Sequence, residues 1–343
     1  MDIIFDYDEI KKMILKESFL RQPITHWKYW MFYPTQDLDK RITLGEGGTQ
    51  LSQSNKFGFE DLWLKIETTN PTGSFKDRGS TIEITRAKEL NAASLCCAST
   101  GNMGASIAAY AAKADMRCKV FLPTNVLKGK IQQIKIYGAD IVKVKGNYTQ
   151  ALKSCEEYSK KTKTYLVGDY PYRGEGEKSV GFEIADQLNW SAPDYIITPM
   201  GNGTLIYAIW DAFVDMKKVG LIDYLPKMIG IQADGCSPIV DAWRKDLKEV
   251  KPLNRSKTSA SAIDCPSPVD GIKALEAIRK SHGFAEAVTD KEMLKAREEL
   301  AGKEGVFAEL AGVASLTAAA KMKKELDGKI VCIISGSGLK DLR

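Results

Sequence analysis

The stretch from Asn70 to Gly79, which reads Asn-Pro-Thr-Gly-Ser-Phe-Lys-Asp-Arg-Gly, places the strongest constraint on how this chain of 343 residues can fold. Apolar and polar side chains alternate before it, over residues 62–67, as in a β-strand, and a helical pattern follows over residues 80–90. The Asn-Pro and Thr-Gly pairs favour a sharp turn between the two. Lys76 is therefore predicted near the first turn of a helix, at the carboxyl end of a strand, where ligands bind in open α/β sheets.

Two interpretations of Lys76 follow from this placement. A primary amine can condense with an aldehyde, and burial or nearby cations would leave more of it as the free amine. The same residue can also be an ordinary solvated lysine in the first turn of a helix. The turn and its flanking elements alone leave both interpretations open.

Strand-like and helix-like segments alternate after residue 94. Strands are predicted at 95–98, 118–122, 140–144, 164–167, 195–198, 228–233 and 330–334, and helices at 104–113, 127–137, 149–161, 177–188 and 204–218. Strands that alternate with helices of this length favour a parallel sheet with helices on its faces. We therefore predict an α/β fold in which two lobes face one cleft.

The glycine-rich loop from Gly201 to Leu205 follows a predicted strand and opens a predicted helix. Glycines there let backbone N–H groups close on an oxyanion, and the helix N-terminus adds a favourable dipole. Ile206 stands where a dinucleotide fingerprint has its third glycine, and no Walker lysine follows. The loop is predicted to be an uncharged phosphate cradle, with a simple tight turn as the alternative.

Two further loops follow predicted strands. Residues 99–102 read Ser-Thr-Gly-Asn, and residues 335–341 read Ser-Gly-Ser-Gly-Leu-Lys-Asp. The first can cap the helix that follows it, and the same hydroxyl and backbone donors can bind a carboxylate. The second can be a turn that closes the last strand, or it can present a hydroxyl to a ligand.

Composition argues against several other classes of protein. The net charge of +5 comes from dispersed lysines and arginines, which predicts no nucleic-acid footprint. The chain has no apolar run long enough to span a membrane and no signal peptide at its start. Seven scattered cysteines and two histidines predict neither a metal site nor a disulfide framework, and they favour the cytoplasm. Five aromatic residues between Trp27 and Tyr33 predict an N-terminal arm that is packed into the core, with a partner contact as the alternative.

The motif around Lys76 resembles the cofactor-lysine motif of threonine synthases, which are fold-type II (tryptophan synthase β-like) pyridoxal-phosphate enzymes. The resemblance continues in order from about Gly45 to Asp341. It implies that Lys76 is catalytic and binds pyridoxal 5′-phosphate as a Schiff base. It also implies two open, twisted α/β lobes around a central cleft and, by analogy, a homodimer. The implied domains are an arm at 1–40, a large cofactor-binding domain at 41–84 and 166–343, and a smaller inserted domain at 85–165.

The resemblance also implies roles for other residues. The cofactor-binding set is Phe75, Lys76, Asn102, Gly201, Asn202, Gly203, Thr204, Leu205 and Ser335. Within it, Asn102 would contact the phenolic oxygen of the cofactor, the glycine loop its phosphate, and Ser335 its pyridine nitrogen. The substrate set is Ser99, Thr100, Gly101, Asn102, Met103, Asp169, Arg173 and Lys178. The loop at 99–102 would hold the α-carboxylate of a small, phosphorylated amino acid.

The implied reaction converts O-phosphohomoserine and water to threonine and phosphate. Two places that the resemblance assigns to the substrate phosphate depart from the family pattern: Met103 replaces a threonine, and Gly168-Asp169 replaces an Asn-Ser pair. Residues 173–179 resemble the pattern Arg-x-Glu-Gly-Gln-Lys-Thr. The departures leave open elimination or replacement on another amino acid, such as phosphoserine as in cysteate synthases. A catalytically silent protein that binds cofactor is a third possibility, against which Lys76, Asn102 and Ser335 argue.

Overall fold

The computed structural model describes residues 3–14, 17–99, 101–124, 126–168 and 170–341. Its α-helices are α1 (Tyr7–Ile14), α2 (Glu17–Leu20), α3 (Lys76–Glu89), α4 (Asn102–Lys113), α5 (Lys128–Ile136), α6 (Tyr148–Thr162), α7 (Pro171–Glu177), α8 (Ser179–Gln187), α9 (Thr204–Lys218), α10 (Pro238–Arg244), α11 (Gly271–Lys280), α12 (Asp290–Glu304) and α13 (Ala314–Lys321). Short 3-10 helices span His26–Phe32, Leu38–Lys40, Glu67–Thr69, Ala311–Val313 and Gly338–Lys340.

The strands form two sheets. They are β1 (Leu51–Ser54), β2 (Asp61–Ile66), β3 (Ser94–Ala98), β4 (Arg117–Pro123), β5 (Asp140–Val144), β6 (Tyr165–Leu166), β7 (Tyr195–Pro199), β8 (Lys227–Ala233), β9 (Phe284–Val288) and β10 (Lys329–Ile334). A six-stranded sheet has the order β1-β2-β10-β7-β8-β9, and a four-stranded sheet has the order β5-β4-β3-β6. β1 runs antiparallel to β2, and the other pairs are parallel.

The loops that carry the lysine motif, the glycine-rich motif and Ser335 leave the large sheet at one edge. β10 lies between β2 and β7 and is parallel to both, with Ile334 opposite Ile66. Because parallel strands end at the same edge, the segments after Ile66, Pro199 and Ile334 emerge side by side. The backbone N–H of Phe75 also donates to the carbonyl oxygen of Ser335 at 3.1 Å. The topology therefore brings the three motifs together.

The large sheet has apolar residues on both faces because side chains alternate along its strands. Val331 and Ile333 of β10 belong to the same buried cluster as Phe32 and Phe182, whereas Ile334 belongs to the cluster on the opposite face. The aromatic arm contributes Tyr29, Phe32 and Tyr33 as buried residues, with Trp27 and Trp30 packed against them. The predicted packing of the arm is confirmed.

Most predicted elements are present with shifted ends. α9 has its predicted bounds, and α3 begins at Lys76 itself, earlier than predicted. The helix predicted at 177–188 corresponds to α8, whereas α7, which ends at Glu177, has no counterpart in the prediction. The N-terminal arm contains α1 and α2, and residues 15–16 between them lie outside the described part of the chain. β1, β9 and α10 to α13 have no counterpart in the sequence prediction.

Three further properties bear on function. All seven cysteines lie in the described residues, are buried and form no disulfide. No helix in the described residues is long and apolar enough to cross a membrane. Within the same residues, no cluster of three or more histidine, cysteine, aspartate or glutamate side chains could hold a metal ion.

Candidate active site

A cleft opens where the three motifs meet. Its walls are formed by Phe75, Lys76, Ser99, Asn102, Met103, Lys130, Tyr148, Pro199, Gly201, Asn202, Gly203, Thr204, Leu205, Ala262, Ile263, Asp264, Cys265, Glu309, Ala311 and Ser335. Every residue of the predicted cofactor-binding set is among them. Three residues of the predicted substrate set, Ser99, Asn102 and Met103, also line the cleft.

Lys76 occupies the first position of α3 and reaches into this cleft. Its ammonium Nζ lies 3.3 Å from Oε1 of Glu177 and 4.5 Å from the centre of the Phe75 ring. The Lys76 side chain is 18% exposed, whereas that of Glu177 is fully buried. Lys76 is thus a largely buried amine beside a carboxylate, and it is not the solvated surface lysine of the alternative interpretation.

The turn before Lys76 is held by Asp77. The buried Asp77 carboxylate accepts hydrogen bonds from the backbone N–H of Thr72 at 2.7 Å, from the Thr72 hydroxyl at 2.6 Å and from the Ser106 hydroxyl at 2.6 Å. Burial raises the pKa of Asp77 to about 6, although these hydrogen bonds oppose the rise. The bonds connect the turn to α4, so the position of Lys76 depends on both sheets.

A buried ionic network supports α3 behind Lys76. Arg78 donates to Glu67 at 2.6 and 2.8 Å and to Glu183 at 2.7 and 2.8 Å, and Lys65 lies 2.7 Å from Glu183. Burial alone would raise the pKa of Glu183, but Arg78 and Lys65 outweigh it and hold this pKa below its usual range. The carboxylates therefore stay charged, and the first turn of α3 is fixed to the large sheet.

The glycine loop has the form of an anion cradle. Gly203 has a φ of 93°, and a Cβ there would lie 2.8 Å from the Cβ of Ala274, so a side chain would be both strained and crowded. α9 begins at Thr204, and the first N–H groups of a helix have no partner within it. The Thr204 hydroxyl, however, donates to Asp270 Oδ2 at 2.7 Å. A phosphate would therefore be held by backbone N–H groups, and the loop fits the phosphate of the implied cofactor.

Asn102 and Ser335 face the same cleft from the two sheets. Asn102 Nδ2 donates to Glu309 Oε1 at 2.7 Å, and its buried Oδ1 has no hydrogen-bond partner among the described residues. Ser335 is buried at the end of β10. Ser99 Oγ accepts from the N–H groups of Gly101 at 2.9 Å and Gly104 at 2.8 Å, so it caps α4. The unpaired Asn102 oxygen and the cradle both fit a polar aromatic cofactor with a phosphate.

The remaining predicted substrate residues lie elsewhere. Arg173 is buried and paired with Glu83, and it donates to the carbonyl oxygen of Gly168 at 3.0 Å. Lys178 lies 2.7 Å from Glu175 and 3.0 Å from Asp215. Neither side chain lines the cleft as described. The predicted Thr100 and Asp169 lie outside the described residues, and Gly101 lies behind Lys130, whose Cδ would be 2.3 Å from a Cβ at that position.

Sequence reasoning missed a charged group in the wall of the cleft. Lys130, at the start of α5, lies 3.3 Å from both Glu309 and Asp341 and donates to the Ser261 hydroxyl at 3.1 Å. Burial would lower the pKa of Lys130, but the two carboxylates raise it above its ordinary value. No local motif marks this lysine, because its partners are far away in the sequence.

Comparisons with known proteins agree with this geometry. Residues 42–336 match the family described as pyridoxal-phosphate dependent enzyme. The chain is 46% identical to a threonine synthase of Methanocaldococcus jannaschii, with 99% of this chain and 87% of that protein covered. It is 42% identical to a threonine synthase of Methanosarcina acetivorans, with 99% and 86% covered.

Solved structures show the same fold at low identity. Maize serine racemase has a TM-score of 0.73 at 20% identity, covering 84% of this chain and 88% of that one. A threonine deaminase isoform from Solanum lycopersicum has a TM-score of 0.72 at 21% identity, covering 84% and 79%. The predicted fold class and cofactor are confirmed. The chain therefore belongs to the family of pyridoxal-phosphate-dependent enzymes, with fold type II, and is a lyase resembling the threonine synthases.

Proposed function

We propose that this protein converts O-phosphohomoserine and water to threonine and phosphate. The observation that carries the proposal is that Lys76, Asn102, the glycine loop and Ser335 line one cleft in a chain 46% identical to a threonine synthase. Pyridoxal 5′-phosphate supplies an electron sink for negative charge at the substrate carbon atoms. The protein's own residues supply binding, orientation and proton transfer.

Each residue of the cleft has a proposed task. Lys76 would hold the cofactor covalently and, when its amine is free, would move protons at the substrate carbons. The N–H groups at the start of α9 would bind the phosphate, and Asn102 would contact the phenolic oxygen. Ser335 would offer a hydroxyl to the pyridine nitrogen, and a hydroxyl would not keep that nitrogen protonated as a carboxylate would. A weaker electron sink suits elimination and replacement chemistry.

The substrate is proposed to be a small amino acid. Its α-carboxylate would bind the loop formed by Ser99, Thr100, Gly101 and Asn102. Met103, Asp169, Arg173 and Lys178 remain proposed contacts for the leaving phosphate. Arg173 would have to exchange its pairing with Glu83, and Lys178 its pairings with Glu175 and Asp215, before either could bind a phosphate.

A second candidate function is favoured by Met103. This side chain lines the cleft where the resemblance has a threonine, and a thioether donates no hydrogen bond to a phosphate. Losing one charge-assisted hydrogen bond costs about 1.5–3 kcal/mol. The alternative is elimination or replacement on another activated amino acid, such as phosphoserine.

The assembly and location are also proposed. The arm at 1–40, the large domain at 41–84 and 166–343 and the inserted domain at 85–165 agree with the membership of the two sheets. We propose a homodimer in the cytoplasm. The seven buried cysteines form no disulfide, which is compatible with a reducing compartment.

Two experiments test the proposal. Borohydride reduction of the yellow purified protein should fix the cofactor mass on the peptide that contains Lys76, and Lys76→Ala serves as the control. Labelling of a different lysine would refute the assignment.

Steady-state rates with O-phosphohomoserine, O-phosphoserine, O-acetylserine, homoserine, serine and threonine then identify the substrate. The highest kcat/KM with phosphohomoserine supports the threonine synthase reaction. A preference for phosphoserine establishes the second candidate instead.

A further inference from the structure

Glu177 brings a buried carboxylate to the reactive lysine. It is the last residue of α7, and its Oε1 lies 3.3 Å from Lys76 Nζ at the start of α3. α7 and α3 pack against each other, and the backbone of Gly79 on α3 lies within 2.9 Å of where a Cβ on Gly176 would be. The pair is therefore set by two closely packed helices, not by a flexible loop.

The groups around this pair nearly balance in charge. Arg173 Nη1 lies 3.7 Å from the same Glu177 oxygen and donates to the Lys76 carbonyl oxygen at 3.2 Å, and its Nη2 is paired with Glu83 of α3. Tyr207 of α9 stays neutral, because burial, together with the charges of Asp270 and Glu177, raises its pKa above the ordinary value. On the wall of the cleft, Lys130 is paired with Glu309. Glu177 is thus the carboxylate that faces the Lys76 ammonium directly.

We propose that Glu177 is a further catalytic residue, which holds the free Lys76 as an ammonium and accepts its proton when the amine has to become neutral. This inference rests on the proposed function, because it requires that Lys76 is the residue that binds the cofactor. It assigns a task to a carboxylate for which the sequence analysis predicts none.

The proton transfer balances within the pair. One N–H bond of the Lys76 ammonium breaks, its electron pair stays on nitrogen as the lone pair, and an O–H bond forms on Glu177. The reverse step restores the ammonium when the lysine is displaced.

Glu177 is charged, whereas the family pattern that this segment resembles has a neutral residue at the same place. Residues 173–179 resemble Arg-x-Glu-Gly-Gln-Lys-Thr, and Glu177 stands at the place of the glutamine. Glutamine has nearly the same shape and can still accept a hydrogen bond from the lysine. Replacing Glu177 with glutamine therefore preserves the shape of the side chain while it removes the proton acceptor and the charge that faces Lys76 and Arg173.

The test measures cofactor uptake by the protein from which cofactor has been removed. The rate at which pyridoxal 5′-phosphate binds covalently is followed by visible absorbance across pH, for the wild type and Glu177→Gln. The neutral amine is the reacting form, so the rate rises with pH through a midpoint. That midpoint should lie lower in Glu177→Gln, because the variant lacks the carboxylate that lies 3.3 Å from the amine. Below the midpoint, covalent uptake should be roughly tenfold faster than in the wild type, which is the size of effect expected from removing one close opposite charge.

Glu175→Gln is the matched control. It removes a carboxylate from the same helix, but Glu175 is paired with Lys178 at 2.7 Å, and the midpoint should stay at the wild-type value. Glu177→Asp keeps the charge with a shorter reach and should lower the midpoint by less than Glu177→Gln. It also provides the comparison if the glutamine variant does not fold.

The outcomes separate this inference from the proposed function. Uptake at Lys76 with the same midpoint in the wild type and in the Glu177 variants overturns the role of Glu177 alone. An equal shift of the midpoint in Glu175→Gln overturns the role of Glu177 as well, because removal of any carboxylate from α7 would then have the same effect. Absence of covalent uptake at Lys76 in the wild type overturns the proposed function itself.

Discussion

Replacing His26 with phenylalanine is expected to remove an acid sensitivity from the support of the active-site helix. His26 is fully buried, its Nδ1 lies 3.0 Å from the Ser179 hydroxyl oxygen, and its ring stacks on Tyr33 with centroids 4.8 Å apart. The same hydroxyl accepts from Arg78 at 3.0 Å, which connects His26 to the ionic network behind Lys76. A phenylalanine ring preserves the stacking and cannot be protonated.

The magnitude follows from the burial of the imidazole. Burial, assisted by Arg78, lowers the pKa of His26 from 6.5 to about 4, against the opposing effects of Glu46 and Glu183. Between these pH values the unfolded chain binds a proton that the folded chain does not, so the free energy of unfolding falls as the pH falls. The difference, 6.5 minus about 4, is worth about 3 kcal/mol at 1.36 kcal/mol per pH unit. This stability is fully present above pH 6.5 and is lost as the pH approaches 4.

Urea unfolding of the wild type and His26→Phe, between about pH 8 and pH 4, measures this effect. Asp77 and Glu175, whose burial raises their pKa values to about 6 and about 7, also titrate in this range. They do so in both proteins, so the comparison uses the difference between the two at each pH. Relative to the wild type, the free energy of unfolding of His26→Phe should rise by about 3 kcal/mol as the pH falls over this range. If the free energies of unfolding of the two proteins differ by the same amount at every pH, the folded protein binds a proton at His26 as readily as the unfolded chain does. That result would refute the reasoning.

Three other predictions concern the cleft. Gly203→Ala should weaken cofactor binding roughly tenfold in a fluorescence titration, because a non-glycine residue at positive φ costs about 1–2 kcal/mol. Equal affinity would place the phosphate elsewhere. Lys130→Met should lower the free energy of unfolding by about 3–5 kcal/mol in urea, since it leaves the buried carboxylate of Glu309 without its cation; a loss under about 1 kcal/mol would contradict this. Met103→Thr should raise kcat/KM for phosphohomoserine roughly tenfold by restoring a hydrogen-bond donor, and a decrease would place the leaving phosphate away from residue 103.

The local motifs of the site could be predicted because short-range chemistry determines them. The start of α9 follows a Gly-x-Gly loop, and its apolar residues recur at helical spacing, so its bounds could be read directly from the sequence. α12 could have been found as well. Its Thr289 and Glu292 form a capping box, which is a recognisable Thr-x-x-Glu signature. The Pro- and Ser-rich stretch at 251–268 predicts a loop, and no element is predicted between this stretch and β10.

Charges that meet across long sequence distances could not be predicted. Arg173 has the character of an anion-binding residue in the sequence, but the packing of α7 against α3 pairs it with Glu83, 90 positions away. Glu177 meets Lys76 across 101 positions for the same reason. Periodicity identifies which face of a helix is apolar, and it carries no information about which buried charge will lie opposite.

The place of β10 in the large sheet has a consequence for biosynthesis. This strand is made after all the others, yet it lies between β2 and β7. While residues 329–334 are still inside the ribosome, the sheet is divided into two unconnected parts, and Ser335 has not reached the cleft. A nascent or truncated chain without this strand therefore lacks both its central strand and one wall of the cofactor site.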